Sequence, residues 1–137
     1  MRLLITEPTV VIAGYDDVAS LRAEDESGGF GILQGHADLL TVLPPSVLTW
    51  RHIDGRTGFC AVRRGVLTVR AGREIAVAAR QAQIGADLET LEGVVLARFA
   101  AEAEAEAGAR VAMARLHVEA IRRIITALRP PGAAFAA

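Results

Sequence analysis

Three histidines, three serines and one cysteine are the side chains here that could do metal, proton-transfer or nucleophilic chemistry. His36, His52 and His117 each stand alone: none has a second histidine or cysteine at ligand spacing, and neither His-Glu-x-x-His nor Cys-x-x-Cys occurs. His117 and Glu119 are two residues apart, which puts them on different faces of a helix, so no metal site is expected. Ser20, Ser27 and Ser46 lack a Gly-x-Ser-x-Gly setting. Cys60 falls between Phe59 and Ala61 in a strand-like segment, where a buried structural thiol is expected. Asp16-Asp17 and Glu24-Asp25-Glu26 flank turns and read as solvated loops. All 15 basic residues are arginine, which excludes a P-loop lysine and a Schiff-base lysine. An enzyme needs a converging nucleophile, base and orienting group, and this spacing offers none.

Charge and composition narrow the class further. A net charge of −1 with 52% hydrophobic residues describes a folding globular chain. It lacks the positive excess a nucleic-acid binder uses to displace counterions from phosphates. Arg63-Arg64 and Arg122-Arg123 are local basic spots that read as solvated faces. A single cysteine cannot form an internal disulfide. No apolar run approaches the roughly 18 residues of a membrane span. The N-terminal Leu3–Ile5 run is too short for a secretory signal. A cytoplasmic protein without direct membrane insertion is expected.

Two halves with different periods must position whatever function remains. Up to about Arg80, short segments rich in Val, Ile, Leu and Thr alternate with turn signals: Arg2–Thr6, Thr9–Ala13, Val18–Glu24, Phe30–Leu33, Leu39–Leu43, Val47–Ile53, Thr57–Arg63, Val66–Arg70 and Glu74–Ala79. Asp54-Gly55 predicts a type I′ hairpin, and Arg64-Gly65 and Ala71-Gly72 predict two further reversals. No crossover helix separates these strands, so an antiparallel β-sandwich over residues 1–86 is expected. In Val66–Arg70 the alternation is imperfect, because Val66 and Val69 do not share a face.

From Asp87 the period becomes helical. Asp87 is a natural N-cap, with Glu89 and Glu92 favourably placed in the first turn. Leu88, Leu91, Val95 and Phe99 form one stripe. Gly108 is expected to be the corner of an antiparallel helical hairpin over residues 87–137. Its second helix would carry the seam Val111, Ala114, Val118, Ile121, Ile125 and Leu128. Pro130 and Pro131 stop that helix, and the tail Gly132–Ala137 is expected to be disordered. The Ala/Glu run Ala101–Ala107 and Gly93 weaken docking, so a permanently packed cap and a mobile arm that needs a partner both remain open.

The densest local signal is Gly28-Gly29-Phe30-Gly31-Ile32-Leu33-Gln34-Gly35-His36-Ala37-Asp38-Leu39-Leu40, with four glycines in eight positions. No helix follows to cap a pyrophosphate, so it is a contact loop or a strand corner and not a dinucleotide loop. The segment resembles the hallmark of ATP synthase epsilon subunits (delta in mitochondrial naming), Gly-x-x-Gly-Ile-x-x-Gly-His-x-x-Leu-Leu, through Gly28, Gly31, Ile32, Gly35, His36, Leu39 and Leu40. Val62–Val69 resembles the family's Gly-Gly-x-Leu-x-Val strand pair, and the likeness runs on to Asp87-Leu88.

The resemblance implies a non-catalytic rotor subunit of the F1 sector, in the central stalk that couples ion flow through the c-ring to ATP synthesis or hydrolysis. It implies a sandwich that binds the gamma subunit on one side and the c-ring on another, peripheral on the cytoplasmic face of the inner (plasma) membrane. The ring contact would fall on Gly29, Phe30, Gln34, Gly35, His36 and Asp38. The helices would reach the alpha and beta subunits and brake hydrolysis, with Arg110, Arg115, Arg122 and Arg123 as contacts. Many relatives carry Glu at the position of Gly29 and Pro at that of Gln34; Asp38 and Asp25 are the carboxylates that could replace the lost one. Some bacterial relatives bind ATP through Leu-Asp-x-x-Arg-Ala. Here Leu88-Glu89-Thr90-Leu91-Glu92-Gly93 puts a carboxylate, Glu92, where a phosphate would need a cation, so no nucleotide and no other cofactor is expected. The divergence also admits an alternative, sodium-driven branch of these machines. A β-sandwich module for a sugar or peptide is the second reading, poorly served by 4% aromatics and one tryptophan.

Overall fold

A computed structural model describes residues 1–129, so the expectations for Pro130, Pro131 and the tail lie outside the described residues. Eight strands come first: β1 (Arg2–Glu7), β2 (Val10–Tyr15), β3 (Val18–Asp25), β4 (Gly28–Leu33), β5 (Leu39–Leu43), β6 (Ser46–His52), β7 (Thr57–Arg70) and β8 (Glu74–Gly85). They pair in the order β2-β1-β8-β7-β6-β3-β4, with β5 also on β7. Every pair is antiparallel except β1–β8. That exception departs from the purely antiparallel expectation; no short hairpin joins β1 to β8, so no turn dictates their relative direction.

The two strands expected on either side of Arg64-Gly65 are one. β7 pairs with β6 over Thr57–Val62 and with β5 over Gly65–Val69, while β8 follows it from Phe59 to Arg70 on both sides of Arg64. Between these partners Arg64 takes a left-handed backbone, φ 58. The crease shifts the inward side of the strand by one residue: Cys60 and Val62 are buried before it, Leu67 and Val69 after it. A single sheet is thereby folded over its own core, and the imperfect alternation of Val66 and Val69 is accounted for. The core is formed by Leu3, Ile5, Leu21, Ile32, Leu43, Leu48 and Trp50 with their neighbours.

Two turns illustrate the local chemistry. At β7–β8, Ala71 and Gly72 both have positive φ (55 and 67), as a type I′ turn requires, and the Arg73 amide donates to the Arg70 carbonyl at 3.2 Å. At Asp54-Gly55 only the glycine is left-handed (φ 94), so the expected type I′ pair is absent. The Gly55 amide donates to the His52 carbonyl at 3.0 Å and the His52 amide to that of Arg56 at 2.8 Å, a three-residue loop. The Asp54 carboxylate stabilises that form by accepting the Arg56 amide at 3.0 Å.

Asp87 caps the helical segment as expected, its carboxylate accepting the Thr90 amide at 2.7 Å. One turn, α1 (Leu88–Thr90), leads through a π-helical turn (Leu91–Val95) into α2 (Leu96–Leu128). Leu91, Val95 and Phe99 are buried beside Ala61, Val47 and Phe59, whereas Leu88 stays exposed. Gly85 is small because Leu91 lies over it: a Cβ there would stand 2.6 Å from Leu91 Cγ. Arg63, read as solvated, is buried instead and reaches the Gln81 amide oxygen at 3.4 Å.

Among the described residues one continuous helix stands where the antiparallel helical hairpin was expected. α2 passes straight through Gly108, whose vacant Cβ position meets nothing within 4 Å. One glycine costs a helix only about 1 kcal/mol, and the flanking alanines, glutamates and arginines are strong helix formers. The chain divides into the compact units Met1–Ala100 and Ala101–Ala137.

Candidate interaction surfaces

Of the residues expected to form a contact loop, Gln34, Gly35, His36 and Asp38 come together in the β4–β5 connection. The Gly35 amide donates to the Gly72 carbonyl at 2.7 Å, the Asp38 carboxylate accepts the Ala71 amide at 3.1 Å, and the His36 amide closes a turn on Leu33 at 3.1 Å. Packing is tight: a Cβ on Gly72 would lie 2.9 Å from Gly35 Cα. His36 Nδ1 is 2.7 Å from the Ala37 carbonyl, so the proton resides on Nδ1 and Nε2 is the ring nitrogen that can accept. Gly29 and Phe30 sit at the other end of β4, where Phe30 packs partly onto the core. Both candidate replacement carboxylates are engaged within the chain. Asp38 holds Ala71, while Asp25 accepts the Ser27 amide at 2.8 Å and the Thr41 hydroxyl at 2.7 Å. The bonds from Ser27 and then Thr41 hold the Asp25 carboxyl below its ordinary value.

Beside this loop lies a surface the sequence reading missed. On the outward side of β5-β7-β8-β1-β2, one cross-strand row runs Leu40, Thr68, Ala76, Leu4, Gly14; the next runs Val42, Val66, Ala78, Thr6. No charged residue interrupts either row. Leu40 is 71% exposed and Val42 62%. The available signal was Leu39–Leu43, apolar on both alternating faces although one side of an isolated sandwich faces water.

The strongest constellation of chemical side chains also went unread. Trp50 Nε1 donates to His52 Nε2 at 3.2 Å, and His52 Nδ1 lies 2.8 Å from an Asp17 carboxylate oxygen. Tyr15 stands edge-on to the His52 ring at 4.8 Å, and Arg56 reaches Asp17 at 3.4 Å and Asp54 at 2.7 Å. An indole can only donate, so His52 Nε2 must accept and its proton sits on Nδ1, toward Asp17. With its one lone pair taken and only 5% of the residue exposed, His52 cannot act as a base. The network ties the β2–β3 connection to the β6–β7 loop. Cys60 is buried, and burial pushes its thiol up to about 12, which leaves it inert. Among the described residues no three potential ligands gather into a metal site.

On α2, Arg115 and Arg122 are seven residues apart and line one groove with Val111, Ala114 and Val118. Arg123 is paired with Glu119 at 3.0 Å, one helical turn away, and Arg110 is exposed. The seam expected inside a hairpin is open: Val111, Val118, Ile121, Ile125 and Leu128 are all exposed.

The fold and these surfaces define an interaction protein, a folded-over sandwich with two exposed uncharged rows on its outer face and a long helix. Residues 1–85 match the family described as ATP synthase, Delta/Epsilon chain, beta-sandwich domain. The chain is 42% identical over 130 residues to ATP synthase epsilon chain 2 of Paraburkholderia xenovorans, covering 95% of this chain and 94% of that one. It is 44% identical over 134 residues to ATP synthase epsilon chain 2 of Cereibacter sphaeroides, covering 97% and 92%. The fold is similar to a chain in the Euglena gracilis mitochondrial ATP synthase OSCP/F1/c-ring structure (TM-score 0.57, 22% identity, 66% of this chain and 57% of that one). It is also similar to one in the central stalk/c-ring of the Tetrahymena thermophila enzyme (TM-score 0.52, 20% identity, 75% and 90%). The chain belongs to the delta/epsilon family of ATP synthase subunits.

Proposed function

We propose that this chain is the epsilon subunit of a rotary ATP synthase, a non-catalytic part of the central stalk that carries torque between the c-ring and the catalytic head. One observation carries the assignment of surfaces: two uncharged rows on the outer face of β5-β7-β8-β1-β2 are followed by the charged row Arg70–Glu74–Arg2, beside which Asp38 of the braced loop Gln34–Asp38 accepts the Ala71 amide. An uncharged sheet face suits a permanent partner, because obligate interfaces are more apolar than ordinary surface. A loop pinned by backbone hydrogen bonds suits a load-bearing contact. We assign the face to the gamma subunit and the loop, through Gln34, Gly35, His36 and Asp38, to the polar loops of the c-ring. Gly29 and Phe30 belong to the far end of the same strand.

Residues 1–86 form the coupling module and 87–137 the regulatory segment. The exposed seam and arginines of α2, notably Arg110, Arg115 and Arg122, fit contacts with the alpha and beta subunits that slow hydrolysis. Glu92 argues against ATP binding by this segment. No helix among the described residues is long and apolar enough to cross a membrane, and we place the subunit at the cytoplasmic face through its partners.

Gentle solubilisation and purification of the tagged chain tests the assignment. Gamma, alpha, beta and the c-ring should co-purify, and Leu40→Asp with Val42→Asp should release them all. Retention of gamma by that variant would move the interface elsewhere. ATPase activity unchanged by deletion of Asp87–Ala137 would remove the brake.

A further inference from the structure

β4 is an edge strand, paired with β3 alone, and its sequence Gly-Gly-Phe-Gly-Ile-Leu has neither the charge nor the proline that ordinarily protects an edge. Its outward positions are Gly29, Gly31 and Leu33. The cross-strand rows continue Gly31–Arg22–Thr49 and Leu33–Ser20–Arg51–Thr57. Arg22 and Arg51 therefore stand diagonally beside each other at the side of a glycine-floored groove. Both are exposed, and neither makes a hydrogen bond or ion pair among the described residues. Glu24, opposite Gly29, marks the acidic end of the groove, and Leu33 is 64% exposed at its other end.

We infer that the β4 edge is a docking strand for an extended, carboxylate-bearing segment of a partner polypeptide. A strand added along β4 would satisfy the free backbone groups of that edge, the binding mode in which main-chain hydrogen bonds give affinity and side-chain pockets give specificity. It would lie two strand spacings, about 10 Å, from β3. A side chain at position 31 would fill that gap; glycine leaves it open, so an incoming carboxylate and the Arg22 guanidinium can meet above Gly31. The next outward position of the partner falls beside Leu33, and Arg51, two strands further along that row, adds positive potential to the groove. Free phosphate or a lipid headgroup could satisfy the arginines but would make no use of the strand edge. Charge complementarity together with the open edge favours the polypeptide.

The test is a titration of the isotope-labelled full-length chain, followed by backbone amide shifts, with a blocked nine-residue peptide alternating Glu and Thr at low salt. Saturable shifts confined to Gly29–Leu33 and neighbouring β3 amides are expected, with no such response to the Lys/Thr counterpart. Arg22→Glu with Arg51→Glu should weaken the acidic peptide at least tenfold and turn the preference toward the basic one. Gly31→Val should weaken it comparably; this substitution is compatible with the fold, since its Cβ would meet nothing closer than 3.9 Å and Gly31 is not left-handed. The proposal is overturned by lack of saturation at millimolar peptide, by shifts on the β2 or β5 edge instead, or by equal responses to inorganic phosphate or phosphatidylglycerol vesicles.

Discussion

Gly58 and Trp50 form a directly opposed cross-strand pair, and replacing the glycine by alanine tests the interior of the sandwich at its tightest point. A Cβ at position 58 would fall 2.2 Å from Trp50 Cε2, 2.4 Å from Cζ2 and 2.5 Å from Nε1. The indole must retreat by roughly 1 Å to reach an ordinary contact. It has nowhere to go: Trp50 is 1% exposed, Tyr15 sits 5.7 Å away, and its N–H is bound to His52. Overpacking of this kind costs about 1–3 kcal/mol. Pulling the indole N–H off His52 adds about 1–3 kcal/mol for a buried donor left unpaired. Gly58→Ala should therefore destabilise the sandwich by about 2–4 kcal/mol even with partial relaxation, lowering Tm by on the order of 10–30 °C for a unit of this size.

Urea and thermal melts followed by far-UV circular dichroism measure this directly, and a second variant separates the clash from any general effect of position 58. Trp50→Leu alone should cost about 2–4 kcal/mol through the cavity it leaves. Combined with Gly58→Ala it makes room for the new methyl, so the pair should fall short of additivity by about 1 kcal/mol or more. A Gly58→Ala protein melting within about 3 °C of wild type would refute the packing argument, as would a strictly additive double variant.

Three further outcomes follow from named groups. The Asp17 carboxyl is held below its ordinary value, first by the hydrogen bond from His52 and also by the charge of Arg56. A lowered folded-state pKa stabilises fully above the ordinary value of 3.8 and ceases to as pH falls through the folded value. Asp17→Asn should accordingly be less stable than wild type at pH 7, with the gap closing below about pH 4 in paired urea titrations. The Cys60 thiol, buried and pushed up to about 12, should ignore a disulfide reagent at pH 8 until denaturant unfolds the chain. Gly108→Ala should raise helical ellipticity and stabilise the helix by about 1 kcal/mol; lost helicity would show that the chain bends there after all.

The sequence was most informative where a pattern was local. Every one of the observed strands overlaps a segment of alternating or β-branched residues, and Asp87 caps the helix as its position and acidic neighbours indicated. Its errors share one cause. Arg64-Gly65 looks like a hairpin turn, yet the same pair can crease a continuous strand, and only the separate partners β6 and β5 show which occurs. Gly108 looks like a corner, but a glycine among strong helix formers costs too little to break a helix unless a second surface rewards the bend. The Asp17–His52–Trp50 network joins residues 35 positions apart, a closeness created by β3–β6 pairing and invisible to spacing arguments.

The same distinction bears on function. The glycine-rich signature identified the family through a contiguous stretch, and the fold spreads that stretch along the whole of β4 and into the β4–β5 connection. Its two ends lie at opposite ends of β4: one braced against the β7–β8 turn, the other beside an open strand edge. The pinned end has its carboxylate committed to Ala71, which suits a rigid contact that transmits load. Along β4 itself the outward positions 29 and 31 have lost their side chains to glycine, and Arg22 beside Gly31 and Arg51 in the row of Leu33 suit capture of an outside carboxylate. A single variant set discriminates the two roles. Asp38→Ala frees the Ala71 amide and should loosen the Gln34–Asp38 loop without affecting acidic-peptide binding. Arg22→Glu with Arg51→Glu should abolish that binding without affecting protection of the Gly35 and Ala71 amides from exchange. If either change moved both readouts, β4 would be acting as one contact, and the division of labour argued from its two ends would be wrong.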